Sequence, residues 1–172
     1  IGDLAEREDL LYHCFLCGEC TAVCPERIDG RQMVIDMRRR QVKENGNKLK
    51  ASGYEMLIKE KENYIFKNYK NGNTKSVLFP GCNFPSFYPE TTKYLVQKLQ
   101  EAGIGVVYDC CGKPIAELGM EQSEKIIIER LNRRLQDAGI EELIMLCPNC
   151  YMFLKPYLDV RMVSIYDKLQ EL

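Results

Sequence analysis

The sequence predicts a small α-helical domain followed by an α/β domain that is built on a parallel sheet. After residue 74, short runs of β-branched and aromatic residues bounded by Gly or Pro alternate with long helical patterns. Before that point the apolar residues recur with helical spacing, and no run is a convincing strand. Strands that alternate with helices pair in parallel through crossover connections. The predicted boundary at Asn71-Gly72-Asn73 therefore divides the chain into residues 1–73 and residues 74–172.

Three helices account for the first domain. An amphipathic helix is predicted over residues 3–13, a second over residues 31–44 and a third over residues 54–69. The second helix contains the basic run Arg38-Arg39-Arg40. A solvated helix face is favoured for this run, and a patch that docks a partner protein is the alternative.

The second domain alternates strands with helices. Gly103 and Gly139 each follow a helical pattern directly, which is typical of a helix C-terminus. Strands are predicted over residues 76–79, 105–108, 143–146 and 161–165, and helices over residues 85–102 and 121–138, after Cys150, and over residues 166–172.

Composition excludes several classes of protein. The chain has 172 residues, of which 45% are hydrophobic and 28% charged, so a packed core is feasible. The net charge of −1 offers no electrostatic basis for binding nucleic acid. No apolar run approaches the ~18 residues that a membrane span requires, and no signal peptide is recognisable. We therefore expect a cytoplasmic protein without a membrane span.

Nine cysteines are many for a chain of this length, and their number is odd. Disulfides alone cannot use all nine, and the adjacent pair Cys110 and Cys111 would form only a strained ring. All nine fall into two motif groups. Such spacings in a cytosolic chain favour metal binding over a disulfide framework.

The first group reads C-x-x-C-x-x-C-x-x-x-C-P, the run of bacterial ferredoxins, from Cys14 to Pro25. Thiolates three residues apart can wrap a compact loop around one face of a cubic cluster, and Gly18 permits the tight turn. A zinc knuckle is the alternative, although zinc sites usually take two separated cysteine pairs. The candidate ligands are Cys14, Cys17, Cys20 and Cys24, where Cys24 either completes this cluster or serves one held by a second run upstream of Ile1.

The second group follows the predicted strands. Since the carboxyl ends of parallel strands meet at one edge of the sheet, its five thiols are expected to converge there. A [4Fe-4S] cube and a structural zinc ion each take four thiolates, so five exceed both. Either one thiol is free and redox-active, or one bridges two irons of a cluster that is not an ordinary cube; the adjacent pair favours the bridge. The five are Cys82, Cys110, Cys111, Cys147 and Cys150.

Local sequence around these cysteines resembles a known domain. The pattern of Pro80-Gly81-Cys82, Cys110-Cys111-Gly112-Lys113-Pro114, Gly119 and Cys147-x-x-Cys150 is similar to the cysteine-rich CCG domain of heterodisulfide reductase. Related domains occur in iron–sulfur subunits of glycolate oxidase, lactate utilisation and anaerobic glycerol-3-phosphate dehydrogenase. The ferredoxin run resembles the second cluster run in the ferredoxin-like subunit of heterodisulfide reductase. Together the resemblances cover most of the chain.

The resemblance implies an α-helical ferredoxin domain over residues 1–73 and a CCG domain over residues 74–172. It implies a cubane [4Fe-4S] cluster on Cys14, Cys17, Cys20 and Cys24, and a noncubane [4Fe-4S] cluster on Cys82, Cys110, Cys111, Cys147 and Cys150. The expected function is that of an electron-transfer subunit in an anaerobic heterodisulfide reductase-like complex, relaying electrons between the clusters. Flavin or iron–sulfur subunits are its expected partners.

Two alternatives stay open at this point. Relatives usually have two cluster runs and two CCG domains, whereas this chain has one of each. The first alternative is a catalytic subunit that reduces a disulfide or thiol substrate at the five-cysteine site, and the second is a structural module with zinc at that site. His13 lies in the other domain, where a packing or capping role is expected. Tyr88, Tyr108, Lys113 and Tyr151 are candidates for proton donation or substrate orientation, although a structural role is favoured for each.

Overall fold

The structure is a computed structural model and describes residues 9–171. The chain divides into two compact units. The first comprises Ile1–Glu62 with Pro114–Glu124, and the second comprises Asn63–Lys113 with Lys125–Leu172. A short segment from the second half of the chain therefore belongs to the first unit. The division into independently folding domains after residue 73 stays a prediction.

Helices and strands alternate along most of the described chain. A 3-10 helix at Asp9–His13 precedes α1 Glu19–Ala22, α2 Gly30–Glu44, α3 Glu55–Glu62, β1 Asn68–Asn71, β2 Ser76–Phe79, α4 Asn83–Phe87, α5 Pro89–Glu101, β3 Gly105–Tyr108, α6 Lys113–Glu117, α7 Glu121–Asp137, β4 Glu142–Met145, α8 Pro148–Leu154, β5 Arg161–Ser164 and α9 Ile165–Glu171. Among these described helices, none is long and apolar enough to cross a membrane.

Helix α2 is present where the sequence predicts it, with an N-cap that explains its start. Asp29 Oδ1 accepts hydrogen bonds from the Gln32 N–H at 2.9 Å and from the Thr21 hydroxyl at 3.0 Å. The bond from Gln32, followed by that from Thr21, lowers the pKa of the Asp29 carboxyl. At the other end, Gly46 adopts a left-handed φ of 66°, which allows the chain to leave the helix.

The first and third predicted helices differ from the structure. Residues 3–8 of the first lie outside the described residues, and the rest form the 3-10 helix. The third is wrong beyond Glu62, because residues 68–71 form strand β1. Strand β1 lies at the sheet edge and is mostly exposed, so its polar sequence lacks the alternation of a half-buried strand. Ile65 and Phe66, in the part of the predicted helix that does not form, are exposed.

A five-stranded sheet organises the second unit, in the order β1-β3-β2-β4-β5. Strands β2 to β5 pair in parallel, with Leu78 opposite Val106 and Phe79 opposite Met145. Strand β1 pairs antiparallel with β3, so the sheet is mixed rather than wholly parallel as predicted. The class of fold, helices combined with a mostly parallel sheet, is confirmed. Leu78, Val106 and Ile144 lie in the hydrophobic core on this sheet.

The helix predicted over residues 85–102 is two helices, because Pro89 cannot continue the hydrogen bonds of α4 and instead starts α5. Leu99 is buried, whereas Tyr94, five residues earlier and on a different face, is exposed. Helix α7 also has one buried and one exposed face. Leu131 is buried, while Ile126 is exposed because it lies off the Ile127–Leu131–Leu135 stripe.

Candidate metal centres

Five thiols come together at the carboxyl ends of three neighbouring strands. Strands β3, β2 and β4 are adjacent in the sheet, and a cysteine group follows each of them directly. All five thiols are buried, with residue exposures between 0% and 7%. Cys110 contacts Cys82 and Cys111, Cys111 contacts Cys150, and Cys150 contacts Cys147. The structure thus brings together the second cysteine group that the sequence singled out.

Two glycines allow the loops of this site to approach so closely. Gly81 has a φ of 73°, and a Cβ added there would lie 3.0 Å from Cys150 Sγ and 3.7 Å from the Cβ of Cys147. Gly112 has a φ of 84°, and its added Cβ would lie 2.9 Å from a methyl carbon of Ile127. A side chain at either position would meet both backbone strain and a close contact.

The thiols differ in acidity because they hydrogen-bond to one another. The bond from the Cys150 thiol, together with backbone N–H groups, lowers the pKa of Cys147 to about 6. Bonds from the Cys110 and Cys150 thiols lower the pKa of Cys111. Donating to Cys111 raises the pKa of Cys110 to about 12, and donating to Cys111 and Cys147 raises that of Cys150. Within this group of thiols, Cys111 and Cys147 are therefore more acidic than Cys110 and Cys150.

The surroundings of these thiols fit an iron–sulfur group. Backbone N–H groups of Gly112 and Lys113 donate to the sulfur atoms of Cys110 and Cys111, and those of Asn149 and Cys150 donate to Cys147. Tyr64 packs with Cys82 and Cys110 in an apolar cluster. Hydrogen bonds to sulfur and exclusion of water are features that tune iron–sulfur centres. Within residues 9–171, no group of three or more His, Cys, Asp or Glu side chains is placed so that it could hold a single metal ion.

Sequence reasoning missed a buried carboxylate beside the paired cysteines. Asp109 is fully buried, its Oδ1 accepts the Cys110 N–H at 2.8 Å, and its Oδ2 accepts bonds from the Tyr69 hydroxyl at 3.1 Å and Arg134 Nη1 at 3.2 Å. Burial, followed by the charge of Asp109, raises the pKa of Tyr69. An acidic residue directly between a buried strand and two cysteines was the signal available in the sequence.

The other candidate residues of this site have varied surroundings. Burial raises the pKa of Tyr108, and Tyr88 is exposed where α4 ends. Lys155 Nζ lies 5.4 Å from the ring centroid of Tyr151, and the charge of Lys113 contributes to the lowered pKa of Cys147. Their role as proton donors or substrate contacts stays a prediction.

The first cysteine group lies in the first unit and is more open to solvent. Cys14 and Cys24 are half-buried, whereas Cys17 and Cys20 are exposed. Backbone N–H groups donate to Cys14 Sγ from Leu16 and to Cys24 Sγ from Ile28, each at 3.4 Å. These N–H···S bonds and the sulfur donor set fit an iron–sulfur group. Ligation by this group stays a prediction.

Two backbone features shape this loop. Gly18, with a φ of 85°, precedes α1, the helix that contains Cys20. A Cβ added to Gly30, at the start of α2, would lie 2.7 Å from Cys20 Sγ. His13 is exposed at the end of the 3-10 helix, and its expected packing or capping role stays a prediction.

The basic run on α2 is not the solvated patch that the sequence predicted. Arg38 is only 4% exposed, and its guanidinium donates to the carbonyls of Leu11, Cys14 and Glu117 at distances from 2.6 to 3.0 Å. Arg39 is partly buried and pairs with Glu124 at 3.3 Å. Only Arg40 is exposed, so three consecutive arginines do not offer a docking patch to a partner. The three carbonyl acceptors, which the sequence does not reveal, explain the burial of Arg38.

Comparisons with known proteins match the region that contains the second cysteine group. Residues 76–155 match the family model described as CCG, cysteine-rich domain, which includes all five buried thiols. The chain is 22% identical over 178 aligned residues to the EtfAB:quinone oxidoreductase of Syntrophomonas wolfei, an alignment that covers 86% of this chain and 25% of that protein. The chain thus spans a quarter of the length of this curated relative. No solved structure matches the chain.

Proposed function

We propose that this chain is an iron–sulfur electron-transfer component of a larger oxidoreductase. The observation that supports the proposal best is the contact among five buried thiols at neighbouring strand ends. The same residues lie within the match to the cysteine-rich domain. Similarity to an oxidoreductase supports a redox-related, iron–sulfur function at this general level.

At the second site, the five thiols would hold a noncubane [4Fe-4S] cluster, which would accept and release single electrons. The chain's own part is to bury the ligands, keep water out through Tyr64, and direct the N–H groups of Gly112 and Lys113 at sulfur. Close approach at Gly81 and the turn at Gly112 allow five thiols, rather than four, to share one edge of the sheet.

At the first site, Cys14, Cys17, Cys20 and Cys24 would hold a cubane [4Fe-4S] cluster in an α-helical ferredoxin-like domain over residues 1–73, followed by the CCG domain over residues 74–172. The exposure of Cys17 and Cys20 suits a cluster that exchanges electrons with a partner, since electron transfer requires a short distance between centres. The N–H donors of Leu16 and Ile28 would stabilise the charged sulfur ligands.

Electrons would pass between the two clusters and on to other redox proteins. The relative is named for EtfAB and quinone, and it is about four times longer than its aligned part. By analogy, a flavoprotein or another iron–sulfur segment, on the same polypeptide or a separate subunit, would be the partner. We place the chain in a heterodisulfide reductase-like complex on the resemblance of its cysteine motifs, with cytoplasmic location as part of the proposal.

A second candidate function is reduction of a disulfide or thiol substrate at the five-thiol site. Its support is the contact between the buried Cys147 and Cys150 thiols, which lowers the pKa of Cys147, since a thiolate is the reactive form of cysteine in thiol–disulfide exchange. Structural zinc at the same site is the remaining alternative, since a thiolate set also binds zinc.

Metal analysis with EPR on anaerobically prepared protein tests these proposals. We expect about eight irons per chain, from two four-iron clusters, no zinc, and two distinct paramagnetic signals on stepwise reduction. About four irons together with one zinc would overturn the proposed relay in favour of a structural zinc site. A new paramagnetic signal when a thiol substrate is added to the oxidised protein would favour the catalytic candidate over electron transfer alone.

A further inference from the structure

A fully buried carboxylate lies at the turn that presents the paired cysteines. Strand β3 ends at Tyr108, and Asp109 is the first residue beyond it, with no exposed surface. Its Oδ1 accepts the backbone N–H of Cys110 at 2.8 Å. This bond holds the start of the turn that must aim two neighbouring side chains, Cys110 and Cys111, at one site.

Three other groups from the same unit converge on this carboxylate. The Tyr69 hydroxyl and Arg134 Nη1 donate to Oδ2 at 3.1 and 3.2 Å, and Arg130 Nη2 lies 4.0 Å from Oδ1. Tyr69 belongs to the edge strand β1, and its ring centroid lies 5.5 Å from the Arg134 guanidinium carbon. Asp109 therefore joins the edge strand, helix α7 and the cysteine turn.

Charge explains why these groups belong together. A carboxylate without solvent is unfavourable unless it is paired and hydrogen-bonded. Here one carboxylate faces two guanidinium groups one helical turn apart on α7, so the three groups sum to one positive charge. Thiolates bound to a metal add negative charge at the adjacent turn. A group of net positive charge beside them offsets part of that negative charge.

We propose that Asp109 is a positioning residue for the Cys110–Cys111 turn and that, with Arg130 and Arg134, it sets the charge that the five-thiol site experiences. The inference rests on the proposed function, since it requires an iron–sulfur group at this site. The three side chains have two separable effects. The Asp109 carboxylate oxygen holds the turn, and the charges of Asp109, Arg130 and Arg134 adjust the reduction potential of the second site.

Asp109→Asn and Arg134→Gln separate charge from geometry. An asparagine retains an oxygen that can accept the Cys110 N–H but has no charge. Because added electrons are stabilised when a nearby negative charge is removed, the Asn variant is expected to raise the midpoint potential of the second-site signal. Arg134→Gln removes a positive charge and is expected to lower it. Both potentials are measured by EPR-monitored redox titration, with iron content near the wild-type value.

Asp109→Ala tests the positioning role, because alanine removes the acceptor of the Cys110 N–H along with the charge. We expect this variant to lose second-site iron that Asp109→Asn retains. Equal iron content in the two variants would overturn the positioning role.

Glu142 and Lys168 provide a matched control pair. Glu142 is a mostly buried carboxylate that accepts a bond from Lys168 at 3.0 Å. It is the first residue of strand β4, so it lies at the amino ends of the strands, opposite the ends that lead into the thiols. Glu142→Gln and Lys168→Gln are expected to destabilise the fold and leave the second-site potential unchanged. Shifts as large as those of the Asp109 and Arg134 variants would overturn the inference.

Conservative replacement keeps the test decisive if Asp109→Asn does not fold. Arg134 is partly exposed, so Arg134→Lys retains a positive charge at that place and is expected to keep the potential that Arg134→Gln lowers. Shifts of the same sign in Asp109→Asn and Arg134→Gln, or no difference between Arg134→Lys and Arg134→Gln, would overturn the role in charge compensation. Absence of any second-site cluster in the wild-type protein would instead overturn the proposed function.

Discussion

At the scale of single residues, the burial of Arg38 is the clearest departure from the sequence pattern. Its guanidinium donates to three carbonyls that are remote from Arg38 in sequence, those of Leu11, Cys14 and Glu117. The same guanidinium lies 4.9 Å from the ring centroid of Tyr12. Arg38 thus ties the loop that begins the first cysteine group to the rest of its unit.

We expect Arg38→Ala to destabilise the first unit by about 3 kcal/mol, because buried carbonyls lose their donors. Urea unfolding of the anaerobically prepared protein, with iron content measured in parallel, checks this, and first-site iron should fall as well. Arg40→Ala is the matched control: Arg40 is exposed and pairs with Glu44 one turn along the same helix, so no measurable change is expected. Equal effects of the two substitutions would contradict the structural role of Arg38.

Whether a glycine could carry a side chain also depends on the residues that the fold places beside it. Gly81 and Gly103 have similar positive φ values, 73° and 77°. A Cβ at Gly103 would meet open space, whereas one at Gly81 would approach Cys150 Sγ. The sequence alone places Gly103 at the end of a helix, whereas only the folded chain shows that a side chain at Gly81 would meet a thiol.

At the scale of elements, the carboxyl and amino ends of the parallel strands have different chemistry. The carboxyl ends of β2, β3 and β4 lead into the thiols, while the opposite edge is held by ion pairs. At that edge, Glu142 accepts bonds from Lys168 at 3.0 Å and the Ser76 hydroxyl at 3.0 Å, and Arg161 lies 3.4 Å away. These contacts connect strands β2, β4 and β5 and helix α9 without involving the candidate site.

Glu142 makes the stability of the folded chain depend on pH. Burial raises the pKa of Glu142, but the bonds from Lys168 and Ser76 outweigh burial, so the pKa in the folded chain is lowered from 4.5. The charged form is therefore favoured by folding. Its contribution is complete above the pKa of an unfolded glutamate and is lost as pH falls through the lower pKa of the folded state.

Glu142→Gln should cost about 1 kcal/mol of unfolding free energy at pH 6, through loss of charge-assisted hydrogen bonds. The difference from wild type should shrink as the pH falls below 4.5 and through the lower pKa of Glu142 in the folded chain, where its carboxylate becomes protonated. Chemical denaturation at a series of pH values measures it. Glu141→Gln is the control, because Glu141 pairs with Lys75 on the exposed surface, and a pH dependence as large in that variant would contradict the assignment.

At the scale of the whole molecule, the nine cysteines divide between the two compact units. The run from Cys14 to Cys24 lies entirely in the first unit, and the five buried thiols lie entirely in the second. Each candidate centre is therefore assembled from residues of one unit. The second unit, however, is formed from two chain segments that are interrupted by residues 114–124.

A cysteine substitution in one candidate centre should therefore remove that centre and leave the other in place. Cys111→Ser is expected to remove the second-site EPR signal and about four irons per chain, and to retain the first-site signal. Cys17→Ser is expected to do the reverse, so each variant serves as the control for the other. Loss of all iron in both variants would contradict independent centres.

Much of the candidate second site followed from the sequence alone. Strands β2, β3 and β4 are short buried runs between Gly and Pro, and parallel pairing requires their carboxyl ends to share an edge. Convergence of Cys82, Cys110, Cys111, Cys147 and Cys150 could therefore be predicted before any distance was known. Helix boundaries such as those of α2 and α7 were predictable for a similar reason, since caps and apolar spacing are local signals.

Only the tertiary structure decided the features that depend on distant partners. Strand β1 exists because β3 offers it an edge, Arg38 is buried because three remote carbonyls need donors, and Asp109 is buried because Tyr69 and Arg134 reach it. Polar residues of this kind look like surface in a sequence, since the cost of burying them is offset by groups far along the chain. Local sequence patterns thus determined where the cysteines lie and which strands precede them. Long-range hydrogen bonds determined which polar residues are buried around the cysteines.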